Sequence, residues 1–184
     1  TGACNPSCIW RVDAVSGAID AAPVLVGVGQ LEGLALDATG DNLYYTDRQN
    51  RTGRLTWSGA AYATPVACSD PAQQRPQDGY HLVADPALGL LVTDDNSTDL
   101  VRVATCAPTS VGANFSMNAS FDRPQGIALG AAGEIYVSDV GRGRISRVDR
   151  TTGAVAPYEA GVNEPYGLEW MAGTTSWAGS LMVA

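Results

Sequence analysis

The chain has 184 residues, 45% of them apolar and 16% charged, with a formal net charge of −8 and a pI near 4.4. Such an acidic surface argues against nucleic acid and anionic membrane as partners. No run of eighteen apolar residues occurs, so membrane insertion through a helix is not expected.

In chain order, residues 9–14 and 18–28 read as strands around the turn Val15-Ser16-Gly17. Residues 31–37, 42–48, 54–58 and 62–68 follow as four short strands, each pair divided by Gly, Asn or Asp. The polar stretch 69–77 holds two Pro and reads as a loop. Strands over 81–85, 90–94 and 100–105 come next, with a weak fourth near 109–111 and a long loop over 112–123. The clearest unit runs from Gly126 to Ala160: four strands divided by a Gly turn, Gly141-Arg142-Gly143 and Thr151-Thr152-Gly153. Residues 167–171 and 181–184 close the chain as a strand pair, and no helix is expected.

These units are copies of one another. Gly33, Gly79, Gly126 and Gly167 open equivalent segments at intervals of 46, 47 and 41 residues. A four-stranded unit of that length cannot bury both of its faces alone, and the period is that of β-propeller blades. The expected fold is therefore all-β, a propeller of four-stranded antiparallel blades. Its parts are a half-blade over 1–30, blades over 31–76, 77–123 and 124–162, and a half-blade over 163–184. Ile9-Trp-Arg-Val-Asp13 matches Ile145-Ser-Arg-Val-Asp149, so the two halves either join as one composite blade or belong to a larger ring. The apolar end at Leu181–Ala184 favours the larger ring, because an open strand edge invites aggregation.

Four cysteines allow three pairings. Blade adjacency favours Cys68 with Cys106, and the turn Asn5-Pro6-Ser7 favours Cys4 with Cys8; free buried thiols are the alternative. No Cys-x-x-Cys occurs, and His81 is the single histidine, which argues against zinc. Asn50, Asn96, Asn114 and Asn118 head N-x-Ser/Thr acceptor sequences in expected loops. Beside an even cysteine count they point to a secreted or cell-surface glycoprotein.

Asp47, Asp94 and Asp139 recur at the end of each second strand. A carboxylate repeated in every blade is expected to be architectural, accepting hydrogen bonds from backbone N–H groups. Arg142, Arg144, Arg147 and Arg150 form a local basic patch that reads mainly as the solvent face of a strand.

Leu31-Glu-Gly-Leu-Ala-Leu-Asp-Ala-Thr-Gly-Asp-Asn-Leu-Tyr-Tyr-Thr-Asp47 resembles a YWTD-type repeat, and Arg123 to Asp149 resembles an NHL repeat. The resemblance, to the NHL and YWTD group of six-bladed propellers, implies a partial ring and leaves function open. The gluconolactonase-like enzymes of this fold hold a divalent metal at the channel mouth, through a Glu and an Asp that each precede Gly. Glu32-Gly33 and Asp78-Gly79 are similar to those positions, whereas Gln125 and Tyr166 stand at the other two equivalent places. Ca²⁺ would suit such oxygen ligands; otherwise no cofactor is expected, and an Arg-paired carboxylate is the simpler reading.

Neither a Gly-x-Ser-x-Gly elbow nor a phosphate-binding Gly loop occurs. The function expected is a non-catalytic extracellular module of a larger glycoprotein, serving protein or glycan contact or structural assembly. A Ca-dependent lactonase is the alternative.

Overall fold

The computed structural model describes residues 7–48, 51–59, 61–68, 76–108, 110, 112–116, 120–173, 176 and 178–184, the side chains of 26–28 aside. Among the described residues, sixteen short strands form five antiparallel sheets. β1 (Ser7–Ile9) pairs with β2 (Leu25–Val28). β3 (Leu31–Leu36), β4 (Asn42–Asp47), β5 (Arg51–Thr56) and β6 (Val66–Ala67) form the first four-stranded sheet. β7 (Gly79–Asp85), β8 (Gly89–Asp94), β9 (Leu100–Val103) and β10 (Ala113–Asn114) form the second. β11 (Pro124–Leu129), β12 (Ile135–Asp139), β13 (Arg144–Val148) and β14 (Val155–Ala160) form the third. β15 (Leu168–Met171) pairs with β16 (Ser180–Val183). The terminal pairs are separate sheets, not one composite blade.

Each sheet is a meander because its turns are tight. The β7–β8 hairpin closes at Gly89, whose φ of 88° is left-handed. A side chain there would be strained, and its Cβ would lie 2.7 Å from the Ala104 carbonyl oxygen.

The first strands β3, β7, β11 and β15 pack in succession, and apolar clusters fill the space between neighbouring sheets. Ile9, Leu25, Tyr45 and Leu55 join the β1–β2 sheet to the first four-stranded sheet. Cys68, Leu82, Leu90, Val92 and Val103 join the first to the second. Leu91, Leu100, Phe121, Ile127, Ile135, Val137 and Val148 join the second to the third. Ala128, Tyr136, Ile145 and Leu168 join the third to the last pair. Leu90 and Leu91 thus face opposite neighbours, because adjacent strand residues point to opposite faces. Both faces being buried explains why these strands read as apolar runs. Truncating Leu91, fully buried, to Ala would cost about 2–5 kcal/mol.

Several details differ from the sequence expectation. The fourth strand of the second blade is Ala113–Asn114, not the stretch near 109–111. Asn114 therefore lies on a strand and not in a loop. The outer strand expected over 62–68 shrinks to Val66–Ala67, and the opening strand ends at Ile9, with only an isolated Val12–Ile19 bridge beyond it. Val140–Arg142 forms a single 3-10 turn where no helix was expected. These outer strands meet one neighbour and bury no side chain, so their pairing is easily shortened.

Candidate functional site

Register sets one end of the molecule. Leu31 lies opposite Asp47, Gly79 opposite Asp94, and Pro124 opposite Asp139. The entrance to each inner strand therefore meets the end of its second strand, and these meetings lie at one end of the blades, the end expected to form the channel mouth.

At each meeting the repeated Asp is fully buried. Asp94 accepts from the backbone N–H groups of Gln77 at 2.7 Å, Asp78 at 3.1 Å and Asn96 at 3.2 Å. Asp139 accepts from Asp122 N–H at 2.8 Å and from Arg144 Nε at 3.1 Å. Asp47 accepts from Arg51 N–H at 3.2 Å and Arg51 Nε at 2.7 Å. These carboxylates hold the loop entering or leaving the blade.

The residue before each Asp also works, though the sequence reading passed it over. Thr46 Oγ1 donates to the Tyr80 carbonyl at 3.1 Å, and Thr93 Oγ1 to the Gln125 carbonyl at 2.5 Å. Each hydroxyl therefore ties its blade to the inner strand of the next. Ser138, in the same place, accepts from Gly126 N–H at 2.6 Å within its own blade. The recurring Thr-Asp, Thr-Asp and Ser-Asp pairs were the available signal. Close approach of inner strands also explains the marker glycines. A Cβ on Gly126 would sit 2.7 Å from Leu168 N, and one on Gly33 2.6 Å from the Tyr80 carbonyl oxygen.

Glu32 and Asp78 both lie at the mouth. Glu32 Oε1 is 2.5 Å from Arg48 Nε. Asp78 Oδ2 accepts from Asn96 Nδ2 at 3.3 Å, while Asp78 Oδ1 is buried without a hydrogen-bond partner. Burial pushes the Asp78 carboxyl above its ordinary value; Arg48 draws it back, and Asp95, Asp94 and Glu32 add to the rise. Gln125 is 5% exposed. Its Nε2 donates to Asp95 Oδ1 at 3.2 Å, and its Oε1 is buried and unpartnered. Two carboxylates, one held by a guanidinium, fall short of the six to eight oxygens that Ca²⁺ takes. Among the described residues no group of three or more His, Cys, Asp or Glu gathers at metal-binding distances.

Three arginines of the expected solvent-facing patch instead make ties. Arg142 and Arg144 both meet Asp139, Arg142 also donates to the Ser120 carbonyl, and Arg150 meets Asp85. Arg142 and Arg147 are exposed, whereas Arg144 and Arg150 are partly buried. His81 is partly buried, and burial lowers its pKa, with Glu32 opposing.

Cys68 and Cys106 form a disulfide between the first and second four-stranded sheets. Cys8 is disulfide-bonded; Cys4 lies outside the described residues, as do Asn50 and Asn118. Asn96 is exposed in a turn. Asn114 is exposed on β10, with its Nδ2 2.6 Å from Asp99 Oδ2.

Residues 121–147 match the NHL repeat. No curated protein sequence matches the chain. A nidogen/laminin complex structure superposes with a TM-score of 0.68 at 19% identity, covering 90% of this chain and 61% of that one. Virginiamycin B lyase from Staphylococcus aureus gives 0.65 at 16% identity, covering 86% and 51%. A gluconolactonase from Xanthomonas campestris gives 0.58 at 16% identity, covering 84% and 57%. The chain spans about half the length of the first solved structures it matches. The likeness is one of fold: this chain is a set of β-propeller blades carrying an NHL repeat.

Proposed function

We propose that the chain is a non-catalytic binding module of an extracellular or cell-surface glycoprotein, and that its channel mouth contacts protein or glycan partners. The observation that carries this reading is the pair of buried acceptors, Asp78 Oδ1 and Gln125 Oε1, left without partners at the mouth. Buried polar atoms without partners are costly. A ligand that brings N–H or O–H donors would satisfy them, and Glu32 and Asp95 beside them favour a donor with positive character. A protein loop or a sugar could supply such donors. A neighbour of similar fold occurs in a complex of two proteins, nidogen and laminin, which supports a binding role.

Selection of a displayed loop library and a glycan array against the full chain tests the proposal. Recovered binders should lose about tenfold or more in affinity on Asp78→Asn or Gln125→Leu, in keeping with removal of a charged or neutral hydrogen bond. Binders indifferent to both substitutions would count against the mouth as the contact. Calorimetric titration with Ca²⁺ separates the rival. Calcium bound by the chain and lost on Glu32→Gln, together with gluconolactone hydrolysis, would assign the lactonase reading instead. Attached sugar at Asn96 or Asn114, read by mass spectrometry after secretion from a eukaryotic host, checks the proposed localisation.

A further inference from the structure

A second polar feature lies at the opposite end of the blades, away from the mouth. A cavity of about 340 Å³ opens between the first and second four-stranded sheets, lined among others by Asp37, Tyr44, Arg54, Asp85, Leu90 and Val103. Tyr44 and Arg54 are directly opposed across β4 and β5, so their side chains share one wall. Arg54 Nε is buried without a partner, and no ion pair or hydrogen bond to Arg54 occurs among the described residues.

The two carboxylates of the cavity do not answer this cation. Asp37 is taken by Asn42 Nδ2 at 2.6 Å and Thr39 Oγ1 at 2.8 Å. Asp85 is taken by Arg150 Nη2 at 2.6 Å and by the backbone N–H groups of Ala87 and Leu88 at 2.9 Å. Arg54 is partly buried, and its buried Nε–H is left without an acceptor in a cavity that Leu90 and Val103 line beside Asp37 and Asp85; a buried donor without a partner is costly. Arg presents a planar fork of donors that matches a carboxylate in two-point fashion.

We propose that this inter-blade cavity binds a small carboxylate with an apolar body. The guanidinium of Arg54 takes the two oxygens, the Tyr44 hydroxyl lies on the same wall to donate a further bond, and Leu90 and Val103 cover the hydrocarbon part. The volume is at the lower end for ligand sites, so the ligand is a single ring or a short chain. The site is independent of the channel mouth and of any reading of it.

The test is titration of the isotope-labelled chain with benzoate, and separately with uncharged benzamide, followed by amide NMR. Benzoate should give saturable shifts at Gly89, Leu90, Val103 and Ala104, and benzamide none. Arg54→Gln should weaken benzoate by about tenfold or more, as expected for a charge-assisted two-point contact. Should that variant not fold, Arg54→Lys keeps the charge without the fork and should weaken binding to a lesser degree. Equal response to benzoate and benzamide would overturn the proposal. So would benzoate affinity unchanged in the Arg54 variants, or shifts confined to other surfaces.

Discussion

Arg150, in the turn after β13, reaches across to the neighbouring blade and grips Asp85, at the end of β7, in a two-point ion pair of 2.5 and 2.6 Å. The Asp85 side chain is fully buried and that of Arg150 is 33% exposed. The same guanidinium donates to the Gly133 carbonyl at 3.0 Å. Arg150→Ala leaves a buried carboxylate with only its own turn N–H groups. The cost should be about 2 kcal/mol, below the range for fully buried pairs because Arg150 is partly solvated. Urea denaturation measures it, and a loss within error would show that the turn satisfies Asp85 alone.

Thr93→Val keeps shape but removes the hydroxyl that holds the Gln125 carbonyl. The buried carbonyl loses its donor, and stability should fall by about 1–3 kcal/mol. Because the bond crosses blades, amide exchange near Gln125 and Gly126 should quicken more than exchange within β9. Uniform quickening would mean that the bond has no particular role between blades.

Gly126→Ala places a methyl 2.7 Å from Leu168 N and 2.8 Å from the Tyr166 carbonyl oxygen. Both obstacles are backbone and cannot turn aside. The strands must separate, at about 1–3 kcal/mol. Gly17→Ala meets nothing within 4 Å but sits at a positive φ of 71°, so its smaller cost is conformational. A Gly17→Ala variant that melts at a lower temperature than Gly126→Ala would contradict the close inner-strand packing.

The Cys68–Cys106 disulfide closes a span of 38 residues. By loop entropy it should contribute up to about 4 kcal/mol. Reduction, or the Cys68→Ala/Cys106→Ala pair, should lower the melting temperature without altering the strand signal in circular dichroism. An unchanged melting temperature would mean that the apolar cluster around Cys68 holds the two sheets unaided.

His81 has a pKa lowered from 6.5, because burial disfavours its charged form. The unfolded chain then binds the proton more readily than the folded one. This contribution to stability is fully present above 6.5 and is lost as pH falls through the lowered folded value. His81→Gln should flatten that part of the stability–pH curve. NMR titration of the ring, showing a midpoint at or above 6.5, would refute the assignment.

The blades were legible in the sequence because the strands carry their own evidence: apolar residues on both faces, Gly, Asn or Asp in the turns, and Asp at the second-strand end of each four-stranded blade. Leu90 and Leu91, or Tyr44 and Tyr45, say locally that both sides are covered. The architectural Asp set could likewise be read from its recurrence. Two outer strands were placed poorly, since Val66–Ala67 and Ala113–Asn114 are two residues long and exposed and carry almost no periodic signal.

Repetition along the chain thus determined the unit, its period and the residues that must be buried, because a local pattern is enough to specify a local sheet. Which partner each charge finds was decided only by the tertiary structure. Arg150 meets Asp85 from 65 residues away, Glu32 meets Arg48, and Arg54 is left facing a cavity without a counter-ion. Such pairings depend on how successive sheets are turned about the channel, and that rotation leaves no trace in the order of the amino acids.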